Sequence, residues 1–354
     1  GCSQLPGGVG QNSGASRTIG ERDDDQLDEW PTLGQNPQST KFNPGGAGPK
    51  DEPSVDWTYD SENILAPPAM AGSSIGLSGV EHLTALTLGG SRRWSITYTG
   101  LLDETQPNTF PVVLTEDVVC SSIRRDDEPA KLVAYTHDGE LLWTVDLGEI
   151  YGSGTPFVTQ DSGIVYVSLP VNFTEFGGAG IIAVDINGGE ILWSENLDPL
   201  LPVAPVITEQ FILSPTGNEQ MLALNKQTGE VEWEFELLDR DIVRPVVSDG
   251  TIYVQYGNDT VGLSVDDGST SFEATDSFGG RFAFVDDVII EPAGDTLRAY
   301  DLQRDELLWE QEYSASLNPP AVADGVAYVG GEDKRIRGVE IASGDELWYQ
   351  PLED

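Results

Sequence analysis

Residues 137–143 read HDGELLW. A histidine and two acids beside a glycine are the ingredients of a small catalytic constellation. The same seven-residue frame returns along the chain, however. It appears as LGGSRRW ending at Trp94, NGGEILW at Trp193, QTGEVEW at Trp233, DDGSTSF at Phe272, QRDELLW at Trp309 and ASGDELW at Trp348. The third position is glycine except for Asp305, and the last is tryptophan except for Phe272. Seven copies of a catalytic apparatus make no chemical sense, whereas seven copies of a packing device do. His137 and Glu140 are therefore read as structural, and loss of the His137 side chain is expected to cost little.

The frames recur about every 40 residues, a period typical of propeller blades. Each repeat reads as four strands. A short apolar strand headed by proline comes first, at Pro111, Pro156, Pro205, Pro245 and Pro320. A second follows, such as GIVYVSL from Gly163 or GTIYVQY from Gly250, read as the alternation of a half-buried strand. The third carries a small residue at a fixed place: Ala85, Ala134, Ala183, Ala223, Gly262, Ala299 and Gly338. Glycine in the frame suits a tight turn with positive φ. The closing ring then wedges between neighbouring blades, covering about 150–250 Å². Trp57, in SVDWTYD, looks like one more blade aromatic. It is assigned to a seam joining the two chain ends. The expected fold is all-β: one propeller of seven four-stranded blades over 57–354, the alternative being eight with one incomplete.

Lysine and arginine together number 18 against 60 acidic residues, a formal net charge of −42 in 354 residues. Such a field repels nucleic acid and anionic surfaces. The acids are spread between apolar runs, and lysine is scarce. This pattern resembles proteins of extreme halophiles, where molar salt screens self-repulsion; loose cation binding goes with it. No apolar run reaches the length of a membrane helix. The cysteines, Cys2 and Cys120, are too few for a disulfide framework, and Cys120 in VVLTEDVVC reads as a small core residue.

The opening GCSQLPGG resembles the end of a lipoprotein signal, with Cys2 as the lipidated residue. Residues 1–29 have few large apolar side chains and are read as a flexible tether. WPTLGQNPQSTKFNP from Trp30 regains aromatic character, and 30–56 is read as an extended strap leading into the propeller. The expected location is the outer face of the cytoplasmic membrane, with the lipid as sole attachment.

Blades two and three are about ten residues longer than the rest. The extra stretches, IRRDDEPAK (123–131) and PVNFTEFGGAG (170–180), fall between second and third strands, on one face of adjacent blades. Arg124, Arg125, Phe173 and Phe176 give them the composition of a partner surface. Arg240, Arg244 and Arg281 are placed near the channel mouth, where they neutralise local acids, the alternative being that they hold an anion. Asn172 and Asn258 fit the N-glycosylation sequon. The chain has two histidines, His82 and His137, and no H-E-x-x-H, P-loop, nucleophile elbow or Cys/His cluster. Asp266–Gly268 reads as a turn, because it lacks the ligand spacing of a calcium loop.

The pattern of a small residue, an acid or amide, then T/G-G-E, an aliphatic and tryptophan resembles the pyrroloquinoline-quinone-type propeller repeat. That family includes quinoprotein alcohol dehydrogenases and the lipoprotein of the bacterial outer-membrane barrel-assembly machine. The resemblance covers 30–354 and implies the fold. Quinoprotein dehydrogenases carry an adjacent cysteine pair, inserted cofactor-lid segments and carboxylates around calcium. The pair and the inserted segments are missing here, so neither quinone binding nor catalysis is expected. A non-enzymatic scaffold binding protein partners at the cell surface is the expected role. The alternatives are a quinone-dependent dehydrogenase or a propeller for a small ligand or cation.

Overall fold

The computed structural model describes residues 36, 40–43, 48–60, 67–79, 82–97, 108–109, 112–124, 129–149, 156–173, 178–197, 200, 204–237, 245–256, 259–274, 282–302, 304 and 306–352. They form seven sheets, each with four consecutive antiparallel strands at its core, in the arrangement of a seven-bladed propeller. Blade 1 comprises Ala69–Ala71, Ser74–Ser78, His82–Thr87 and Arg92–Thr97. Blade 2 comprises Val113–Leu114, Val118–Arg124, Pro129–Thr136 and Leu141–Glu149, with Asn108–Thr109 as an added short strand. Blade 3 comprises Phe157–Asp161, Ile164–Phe173, Gly178–Asp185 and Ile191–Leu197. Blade 4 comprises Val206–Ile207, Phe211–Pro215, Gln220–Asn225 and Val231–Glu236. Blade 5 runs from Val246–Ser248 through Thr251–Tyr256 and Asp259–Ser264 to Thr270–Ala274. Blade 6 runs from Ala283–Val285 through Val288–Ala293 and Thr296–Asp301 to Glu306–Glu312. Blade 7 runs from Ala321–Ala323 through Val326–Gly331 and Arg335–Glu340 to Glu346–Pro351.

Burial follows strand position. Phe211–Pro215, a second strand, is buried at every residue. The fourth strands, such as Val231–Glu236, alternate between exposed and half-buried. The sequence reading of the second strands as half-buried is therefore corrected. They are covered on both faces by neighbouring blades and read as continuous apolar runs. Six clusters of buried apolar side chains each join two successive blades, from the blade 1–2 junction round to 6–7. Cys120 belongs to the blade 2–3 cluster, and burial pushes its thiol well above the ordinary value.

The recurring frame is the lock between blades. In every blade the small third-strand residue stands directly across from the aromatic, as in Ala183 with Trp193 and Gly338 with Trp348. Beside each such pair the register slips, so one residue, Leu192 in blade 3, is left unpaired before the ring. Such a bulge re-aims the side chain that follows it. Trp193 is thus thrown onto the turn of the next blade. A Cβ built on Gly229 would lie 2.5 Å from the Trp193 ring, and φ at Gly229 is +80°. Glycine is demanded there twice, by backbone conformation and by the ring above it. The indole Nε1 donates to the carbonyl of Lys226 at 3.2 Å in the same turn. Trp94, Trp143, Trp233 and Trp309 repeat the contact on His137, Ile186, Val265 and Ile341.

His137 has a larger structural part than its sequence suggests. Its Nε2 donates to the Thr115 carbonyl at 2.9 Å, while Nδ1 lies 2.6 Å from the hydroxyl of fully buried Ser74 in blade 1. It cross-links two blades, so the expectation of a near-neutral His137→Ala is corrected.

The junction between blades 7 and 1 is built from the segment that precedes blade 1. Phe42–Asn43 pairs in parallel with Ala321–Ala323, the innermost strand of blade 7. The Thr40 carbonyl accepts from the amide of Phe284 in blade 6. Further along, the Pro49 carbonyl accepts from Trp348 Nε1 at 2.9 Å, and Lys50 pairs with Asp324 at 3.0 Å. Trp57 then covers the Gly90 turn of blade 1 and donates to the Leu88 carbonyl at 3.1 Å. This segment takes the place that a preceding blade would fill.

Candidate functional site

The lengthened stretches of blades 2 and 3 are continuations of the sheets. The second and third strands of blade 2 remain paired out to Ile123 and Lys131. Arg124 closes the second strand and is matched on its other side to Asn108. In blade 3 the second strand runs on to Phe173, which pairs with Gly178 after an irregularity following Leu169. The described ends of the added stretches are therefore paired strand, which differs from the loops read in the sequence. A ribbon holds its side chains at fixed spacing, and a bulge turns its end. Asn172 lies inside the blade 3 strand. Cys2, Arg125, Phe176, Asn258, Arg240, Arg244 and Arg281 lie outside the described residues.

The two lengthened strand pairs stand on neighbouring blades, which are joined near their base. The Ser122 hydroxyl of blade 2 donates to the Pro156 carbonyl at the head of blade 3, at 3.1 Å. Lys131 Nζ stands 3.4 Å from Asp146 and ties the third strand of blade 2 to its fourth. Asp266–Gly268 is a turn in which Ser269 donates to Asp267 from both its amide and its hydroxyl, holding that carboxyl below its usual range. Gly268 carries the Trp233 ring. Among the described residues no group of three or more histidine, cysteine or acidic side chains is gathered for a metal ion. No helix among them is long and apolar enough to cross a membrane.

The ring of four-stranded blades, each closed by the same turn and aromatic, is a repeat propeller of the PQQ-like class. The model of the family described as outer membrane protein assembly factor BamB matches residues 177–277 and 270–353, and the chain belongs to that family. The BamB of Yersinia pestis is 24% identical over 237 residues, which are 60% of this chain and 59% of that one. The chain spans about half to three fifths of the length of the curated relatives it matches. The crystal structure of BamB from Moraxella catarrhalis aligns over 84% of this chain and 91% of its own, at 18% identity and a TM-score of 0.59. A quinohemoprotein alcohol dehydrogenase from Pseudomonas putida aligns over 95% of this chain and 75% of its own, at 13% identity and a TM-score of 0.70. Likeness at such identities speaks for architecture alone.

Proposed function

We propose that the chain is a non-enzymatic scaffold that assembles with protein partners at a membrane surface, through the adjoining hairpins of blades 2 and 3. The observation that carries this reading is the pair of strand extensions side by side on a closed ring of otherwise like blades. The curated relatives are named as assembly factors, which supports a role in binding proteins. The dehydrogenase alternative is not supported by the one cysteine within the propeller. Cys120 is enclosed by valine, leucine and isoleucine side chains of blades 2 and 3, so it does not fit a sulphur platform for a quinone. In this reading Cys2 is the lipid attachment, and the acidic surface keeps nucleic acid away.

At molar salt the long-range attraction between charges is screened, so contact rests on apolar burial, with short-range hydrogen bonds from Arg124 and Arg125. Phe173 and Phe176 are the anchors. Replacing both with serine should abolish co-purification of partners from native membranes in high salt while leaving the melting temperature in place. Retained partners would remove the hairpins from the binding surface, and unfolding would assign the rings to the core.

A further inference from the structure

Strand registers set the two faces of the ring apart. In each blade the second strand runs antiparallel to the first, so it ends level with the first strand's beginning. Blade 3 shows this in the pairs Phe157 with Ser168 and Asp161 with Ile164. The lengthened pairs of blades 2 and 3 continue past that level, to Ile123 with Lys131 and to Phe173 with Gly178. They rise from the face on which the first strands begin. Asn108–Thr109, laid against Arg124 and Ile123, lies on that face too. The turns that follow first and third strands, the recurring frames among them, lie on the opposite face.

The strap passes from one face to the other. Phe42 and Asn43 run parallel to Val322 and Ala323, so they follow the inner edge of blade 7 away from the face of the lengthened pairs. The entry is pinned by buried Thr40. Its amide donates to Asn36 Oδ1 at 3.0 Å, and its carbonyl accepts from Phe284 in the first strand of blade 6. The Lys41 carbonyl accepts from Val322. The exit is pinned as well. Lys50 pairs with Asp324 in the turn after the first strand of blade 7, and Trp57 covers the Gly90 frame turn of blade 1. The strap is therefore threaded, in by the face of the lengthened pairs and out by the face of the frames. At the other end of the ring, Leu352 donates to the Lys334 carbonyl between the second and third strands of blade 7. The last strand thus also finishes on the entry face.

Whatever holds the chain ahead of Asn36 therefore pulls on the middle of the entry face. For the frame face to meet the same support, the chain would have to double back around the rim. We propose that the threaded strap turns the entry face toward the membrane, and that the lengthened pairs of blades 2 and 3 there meet a protein seated in that membrane. This rests on the reading above, in which Cys2 is the attachment and the pairs are the contact surface. Lipid is the poorer partner for that face, because a chain of −42 is repelled by an anionic bilayer.

The orientation can be tested apart from any natural lipid. Cys120 is fully buried, so maleimide lipids in neutral vesicles are used to capture the full chain through Cys2 in molar salt. A fluorophore is carried by an azide-bearing residue in place of exposed Asp295, on the entry face, or of exposed Ala342, in the frame turn of blade 7. A six-residue strand such as Arg335–Glu340 sets the two levels about 20 Å apart. Lipids with nitroxide headgroups should remove more emission from the probe at 295 than from the probe at 342. Equal losses, or a greater loss at 342, overturn the orientation. In native membranes, a photo-crosslinking residue in place of Arg124 should join the chain to an integral membrane protein. Cross-links to lipid or to a soluble protein overturn the choice of partner. Absence of cross-links beside an intact quenching difference overturns the partner and, with it, the pairs as a contact surface. Loss of the quenching difference beside such cross-links overturns the orientation alone.

Discussion

The closing aromatic and the glycine of the next turn form one unit split between two blades. Removing the ring in Trp193→Ala should cost on the order of 3–5 kcal/mol. Gly229→Ala should cost about 2–4 kcal/mol, part from the left-handed backbone and part from its clash with that ring. In the Trp193→Ala background only the backbone part should remain, about 1–2 kcal/mol. Denaturant melts of the four proteins measure the coupling, and strict additivity would refute the unit. His137→Ala should cost about 1–3 kcal/mol, because it strips a hydrogen bond from the buried Ser74 hydroxyl. The fixed spacing of small residue, glycine and ring was legible in the sequence because each answers a local steric demand. The partners of His137 were not. Ser74 is 63 positions away, and no periodic pattern links the two residues.

At the scale of strands and hairpins, the bulge before each ring left no mark that composition or alternation could reveal. It puts two adjacent side chains, such as Leu141 and Leu142, outside, where simple alternation would bury one. Extra length in blades 2 and 3 was legible, but its form was not, because pairing depends on the opposite strand. A further element-scale contact joins the hairpin of blade 7 to blade 6. Arg337, 2% exposed, donates through both terminal nitrogens to Asp333, reaches Glu346 through Nε at 3.3 Å, and lies 4.9 Å over the Tyr313 ring. Hydrogen bonds from Arg337 hold the Asp333 carboxyl below its ordinary value of 3.8. The folded group titrates lower than the unfolded one, so its contribution is complete above the ordinary value. It disappears as pH falls through the lowered one. Asp333→Asn should cost about 2–4 kcal/mol at neutral pH, since a buried guanidinium loses one of two carboxylates. The difference in melting temperature from the native chain should close in acid below that ordinary value. A gap that stays constant into strong acid would show that Asp333 acts by shape alone.

For the molecule as a whole, the seven-blade ring was legible from the period, while its method of closure was visible only as one surplus tryptophan. A chain charge of −42 makes stability depend on ionic strength. The melting temperature should fall as salt is lowered from molar to about 0.1 M, where the screening length grows from about 3 to about 10 Å. Equal melting at both salts would assign the acids another purpose. The seam between blades 7 and 1 also gives the molecule a direction in time. Trp348 meets the Pro49 carbonyl across 299 positions, whereas each other indole lock spans between 31 and 43. Contacts that enclose long stretches of chain form late, because their closure entropy must be overcome first. As the chain is synthesised, blades 1 to 6 stack one by one into an open arc. Beyond Trp57 on blade 1 and Thr40 on blade 6, the strap makes its remaining contacts only when the last forty or so residues arrive. Until then the strap edge at Phe42–Asn43 lacks the strand that will cover it, so ring closure is the step that ends the chain's vulnerability.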